Sequence, residues 1–78
     1  MSVTAYVLIQ TEVGRSEKVA KASRAIAGVV DSDNVAGPYD VIVKVEAPTL
    51  DDLAKVVVSE LQKVEGITRT FTCPIVNL

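Results

Sequence analysis

The sequence has no histidine, no tryptophan and a single cysteine, Cys73. One cysteine cannot close an internal disulfide, and without histidine or a second thiol it has no partner for a metal cluster or a catalytic dyad. A reducing cytoplasmic setting is expected, with no metal and no cofactor. Aromatic residues are scarce, two Tyr and one Phe, so the core must be built from Val, Ile, Leu and Ala. Basic residues are few and scattered as Arg15, Lys18, Lys21, Arg24, Lys44, Lys55, Lys63 and Arg69, against ten acidic ones, for a net charge of -2. No basic stripe exists to neutralise phosphates, and direct nucleic-acid binding is not expected. Nor is there a basic start, a long apolar run or a cleavage site after Met1, so neither a signal peptide nor a membrane span is expected.

What is present is a hydrophobic chain, 49% of its 78 residues. That composition excludes disorder, and the length suits one domain over residues 1–78. A chain so short buries only roughly 60% of the surface its unfolded form exposes, so partner chains are expected to complete the burial.

Val3 to Gln10 is β-branched and short and reads as a strand. Val3, Ala5, Val7 and Ile9 fall on one side and Tyr6 and Leu8 on the other, which calls for cover on both faces. The turn Glu12-Val13-Gly14 leads to Ser16 as helix N-cap, and Val19, Ala22 and Ile26 recur at helical spacing until Gly28 stops the helix. Val29-Val30 opens a second strand ending at Gly37-Pro38, with the polar Asp31-Ser32-Asp33-Asn34 readable as strand or turn. Pro38 has no amide hydrogen and must sit at a strand end, after which Tyr39 to Val45 reads as a third strand. Leu50, Leu53, Val57, Leu61 and Val64 mark an amphipathic helix, with Thr49 and Asp52 resembling a capping box. Gly66 ends it. Ile67 to Phe71 begin a fourth strand whose continuation is interrupted by Pro74, implying an edge position or a bulge.

The two helices end alike, at Ile26-Ala27-Gly28-Val29 and Val64-Glu65-Gly66-Ile67. The order βαββαβ with right-handed crossovers gives an α+β, ferredoxin-like fold, both helices on one face of a four-stranded antiparallel sheet. Tyr6, Leu8, Ile42 and alternate residues of the last strand then project from an open apolar face, which marks an interface, and dimerisation through that face is the economical solution.

Four stretches carry a family resemblance: Ala5-Tyr6-Val7-Leu8-Ile9, Gly28-Val29-Val30, Gly37-Pro38-Tyr39-Asp40, and Gly66-Ile67-Thr68-Arg69-Thr70-Phe71-Thr72. In order and spacing the chain resembles the RAM domain, the effector-binding module of the leucine-responsive (Lrp/AsnC) transcription regulators, over nearly its whole length. The resemblance implies homodimers paired through their sheets, higher oligomers built from those dimers, and an amino acid or related small-molecule effector held where dimers meet. It implies ligand-binding roles for Gly37, Tyr39 and Asp40 in the loop and for Thr70 and Thr72 on the last strand. Full-length regulators of the family add an N-terminal helix-turn-helix, for which this chain has no room. The expectation is a module that does not bind DNA by itself and forms mixed oligomers with full-length Lrp/AsnC regulators.

The residue types suit that task. Asp40 can accept hydrogen bonds from a ligand ammonium, Gly37 lets the backbone approach a ligand carboxylate, and Thr70 and Thr72 offer hydroxyls on one strand face. Each also has a plainer reading: Asp40 capping a turn, the threonines as strand formers, Tyr39 and Cys73 as packing residues, Arg69 as a solvated side chain. No proton transfer is called for, and the chain is not expected to be an enzyme. An acylphosphatase-like site would need an Arg followed by a water-positioning Asn, and the first loop offers only Arg15. A metal chaperone would need paired cysteines. A dimeric α+β barrel monooxygenase usually lines its cavity with His, Trp or Asn. An ACT-like allosteric module, which also binds amino acids on this topology, remains the nearest alternative.

Overall fold

The computed structural model describes residues 2–78. Strand β1 (Val3–Thr11) leads through a tight turn to helix α1 (Ser16–Arg24), then to strands β2 (Val29–Asn34) and β3 (Val41–Ala47). A second helical segment begins as α2 (Leu50–Lys55), continues through a π-helical turn (Val56–Glu60) and a 3-10 turn (Leu61–Lys63), and leads to β4 (Ile67–Pro74). The strands form one sheet in the order β2-β3-β1-β4, every neighbouring pair antiparallel. This is the ferredoxin-like βαββαβ arrangement read from the sequence, and the polar stretch Asp31–Asn34 is strand.

Alternation decides which side of each strand meets the helices. Ala5, Val7 and Ile9 of β1 and Val41, Val43 and Val45 of β3 are buried and share one cluster with Val19 and Ala20 of α1 and with Leu53, Val57 and Leu61 of the second helical segment. Both helical segments therefore cover the same face. Each Val or Leu so buried contributes about 1.5–3 kcal/mol relative to exposure.

Strand β2 stops at Asn34, short of Gly37-Pro38, β3 begins at Val41 rather than Tyr39, and α1 stops at Arg24, ahead of Gly28; three side-chain details differ from the sequence reading as well. Arg15, not Ser16, occupies the N-cap of α1, without a side-chain bond, and Ser16 is the first helical residue. On the same helix Ala22 is exposed, while Ala20 and Ser23 join Val19 against the core. Ser23 manages burial by donating its hydroxyl to the Val19 carbonyl at 2.7 Å, and buried Ser32 of β2 donates to the Ala20 carbonyl at 3.1 Å. Satisfying both hydroxyls on carbonyls of α1 removes the desolvation penalty that an unpartnered buried hydroxyl would carry at these positions. Leu50 is the third difference: it is 56% exposed, because it lies in the first turn, ahead of the core.

The N-cap of α2 is Thr49, whose hydroxyl accepts from the Asp52 amide at 3.1 Å. Beyond it Leu53, Val57 and Leu61 recur every fourth residue, a spacing that drifts about 40° per step around an ideal α-helix. The π-helical turn at Val56–Glu60 widens the helix where this drift accumulates and keeps all three side chains on the sheet.

Candidate functional site

The loop joining β2 to β3 is tied down from both sides. Within it the Val35 amide donates to the Asp40 carbonyl at 3.0 Å, and the Asp40 amide donates to Ile9 of β1 at 2.9 Å. Gln10 Nε2 donates to the Pro38 carbonyl at 3.0 Å, and Asp40 Oδ2 accepts from the Thr11 amide at 2.8 Å. Gly37 is exposed with φ +141°, in the region that favours glycine, and nothing lies close to where a side chain would begin. The Tyr39 ring meets Phe71 of β4 edge-on, centroids 5.9 Å apart.

Asp40 is thus a capping residue in one respect: its carboxylate holds the end of β1 rather than the Gly37-Pro38 turn. The sequence offered Asp40 as a turn cap, and the amide it captures is 29 residues away in the chain.

Register places the two threonines. Thr70 lies opposite Ile9 and Thr72 opposite Val7. Directly opposed residues project to the same face, so both hydroxyls lie on the helix side of the sheet, Thr70 half-buried and Thr72 exposed at the edge. Asp40 and Thr70 flank the same β1 residue, Ile9, from opposite sides. The structure therefore brings Asp40 and Thr70 to one end of the sheet, sets Thr72 one strand repeat away, and sends Tyr39 toward the open face with Phe71.

A cavity of about 270 Å³ borders Thr70 and is lined also by Gln62, Ile67, Thr68 and Arg69. This is close to the lower limit of small-ligand pockets, roughly 300 Å³. Gln62, Thr68 and the loop-tethering Gln10 were not singled out from the sequence. Thr68, whose hydroxyl donates to the Gln10 carbonyl at 3.2 Å, belongs to the same Thr-Arg-Thr-Phe-Thr alternation and was within reach of it. Gln62 carries no periodic signal.

Two rows run across the middle of the open face. Asp33, Ile42, Leu8 and Phe71 form one, and Asp31, Lys44, Tyr6 and Cys73 the other. Tyr6 and Phe71 are 40% and 42% exposed, the apolar surface expected of this face. Lys44 Nζ lies 6.0 Å from the Tyr6 ring centroid, and the Arg69 guanidinium lies 5.6 Å from that of Phe71, both within range of a cation–π attraction. A second cavity of about 270 Å³ is formed here by Tyr6, Asp31, Asp33, Ile42 and Lys44. Among the described residues no helix is long and apolar enough to cross a membrane.

Residues 4–77 match the Lrp/AsnC ligand binding domain family. An uncharacterized HTH-type transcriptional regulator of Pyrococcus furiosus is 33% identical over 75 residues, which are 92% of this chain and 50% of that protein. The chain spans about half the length of the curated relatives it matches. Among solved structures, TTHA0845 of Thermus thermophilus is 29% identical with a TM-score of 0.90, covering 97% of this chain and 95% of that one. A transcriptional regulator of Neisseria meningitidis, solved as a complex with L-Met, shares the fold at 12% identity and a TM-score of 0.82, over 96% of this chain and 50% of that one. With the match running through every strand and both helical segments, the chain belongs to the Lrp/AsnC ligand binding domain family.

Proposed function

We propose that this chain is a regulatory, effector-sensing module that binds a small molecule, an amino acid or a close relative of one, and performs no chemistry on it. The observation that carries the reading is the match to a ligand-binding family over residues 4–77. Support comes from the site itself. Asp40 is held in place through Oδ2 by the Thr11 amide, which leaves its second oxygen available to a ligand ammonium. The exposed Gly37 backbone and the Thr70 hydroxyl lie toward the same end of the sheet, and amides and hydroxyls are the donors a ligand carboxylate requires. Gly37, Tyr39, Asp40, Thr70 and Thr72 form the proposed ligand-binding set. Neighbouring subunits complete the site. The L-Met complex of the Neisseria meningitidis regulator makes an amino acid the first class to test.

The assembly follows from the open face. Homodimers form through it, dimers associate further, and mixed oligomers form with full-length Lrp/AsnC regulators in the cytoplasm. The decisive experiment is a thermal-shift screen of the twenty amino acids, since a ligand that binds only the folded oligomer raises its apparent stability by about 2.7 kcal/mol at a hundredfold excess over Kd. No shift with any amino acid at millimolar concentration overturns the proposed ligand class.

A further inference from the structure

The two edges of the sheet are protected differently. Strand order puts β2 at one edge and β4 at the other. An edge strand presents unpaired N–H and C=O groups onto which another strand can add, and proteins blunt it with proline, basic side chains or bulges. β4 carries Arg69 and ends at Pro74. β2, Val29–Asn34, has neither proline nor a basic residue, and its two aspartates stand on the open face.

The protection of β2 comes mainly from outside the strand. Arg24, the last residue of α1, donates to the Ser32 carbonyl from Nε at 3.2 Å and from Nη2 at 2.7 Å. Asp31 Oδ1 accepts from the Ser32 amide at 2.9 Å. Ser32 lies opposite Val43 of β3. In an antiparallel ladder, opposed pairs alternate between exchanging both main-chain bonds and exchanging neither. With its amide and carbonyl both held by side chains, Ser32 belongs to the second kind, and its main-chain groups point out of the edge. They are the middle of that edge. Asn34 is the next outward-facing residue on one side, and on the other the strand is broken by the bulge between Val29 and Asp31. A strand approaching β2 therefore finds the central donor and acceptor already taken. The guanidinium bonds are charge-assisted, and the C-terminal end of α1 favours the positive charge that makes them.

We propose that Arg24 and Asp31 form a clasp that closes the β2 edge to strand addition, and that the strand it excludes is β2 of a second copy. Antiparallel pairing of β2 with its own equivalent about a two-fold axis is self-complementary, so every copy presents the matching edge to every other. The clasp confines association between copies to surfaces other than this edge.

The test compares Arg24→Met/Asp31→Ala with Lys21→Met/Asp51→Ala by sedimentation at matched concentrations. Each double variant loses one positive and one negative charge, so both keep the net charge of -2, and Lys21 and Asp51 are exposed positions on the helices. The unclasped variant is expected to form species of about twice the native mass or more, growing with concentration, while the control keeps the native size. Circular dichroism and the urea midpoint establish that folded proteins are being compared. Adding Val30→Lys, a basic residue at an exposed position of the same edge, should return the unclasped variant to the native size. Where the double variant fails to fold, Arg24→Met alone, which keeps the Asp31 bond, is read in its place. A folded unclasped variant of native size overturns the clasp. Larger species that persist after Val30→Lys place the association elsewhere and overturn it as well.

Discussion

The Asp40 carboxylate accepts the Thr11 amide at 2.8 Å, joining the start of β3 to the end of β1 across a gap that the ladder between them does not reach. This bond separates two roles that one residue can hold. Asp40→Asn keeps an oxygen for Thr11 and should leave stability within about 0.5 kcal/mol of native. If the other oxygen receives a ligand ammonium, the same change weakens amino-acid binding by about 1.5–3 kcal/mol, roughly tenfold to a hundredfold. Asp40→Ala leaves the amide without its partner and should cost about 1–3 kcal/mol of stability as well. Calorimetric titration beside denaturant unfolding separates the two. Unchanged affinity in a folded Asp40→Asn oligomer would show that the carboxylate only caps β1.

Leu8 sits at the middle of the open face, between Ile42 and Phe71. A carboxylate there would be stripped of water by any sheet-to-sheet contact. Leu8→Asp is therefore expected to sediment as a folded monomer at concentrations where the native chain is a dimer. A Leu8→Asp dimer of native strength would place the interface elsewhere.

The two leucines of α2 give a matched pair. Leu53 is 2% exposed and Leu50 56%. Leu53→Ala should destabilise by about 2–5 kcal/mol, while Leu50→Ala should fall within about 0.5 kcal/mol. Equal losses in urea unfolding would mean that Leu50 is covered in the assembled protein.

Scattered basic residues and an acidic balance argue against autonomous DNA binding. The pure protein should not retard promoter fragments at physiological salt, and it should co-purify with a full-length regulator of its family when the two are expressed together. A specific retarded band from the chain alone would contradict the first expectation, and failure to co-purify the second.

Fold order was legible because apolar residues recur at two in β1 and β3 and at three to four in the helices, and because Gly28, Pro38, Gly66 and Pro74 punctuate them. Pro74 called for an edge position or a bulge, and β4 lies at the sheet edge. Positions whose burial depends on a side-chain hydrogen bond were not legible. Ser23 and Ser32 look like surface residues until the Val19 and Ala20 carbonyls are seen beside them, and the cap of α1 at Arg15 involves no side-chain signal at all. The π-helical turn shows only as a run of fours, Leu53, Val57, Leu61, which an α-helix reading accepts without remark. Of the candidate site, the nearness of Gly37, Tyr39 and Asp40 was given by chain continuity, whereas the face taken by Thr70 and Thr72 depends on the register of β4 against β1. That register includes a shift at Gln10/Thr11, which no local pattern announces.

Strand β2 has a shift of its own, between Val29 and Asp31. Val29 pairs with Val45, Asp31 with Lys44, and Val30 is the residue left over in the count. Strict alternation from Val29 would turn Asp31 and Asp33 inward against the helices and Ser32 outward. The odd residue inverts that parity, so whether two negative charges are carried on the outside of the protein or forced into its interior is decided by a single uncounted valine.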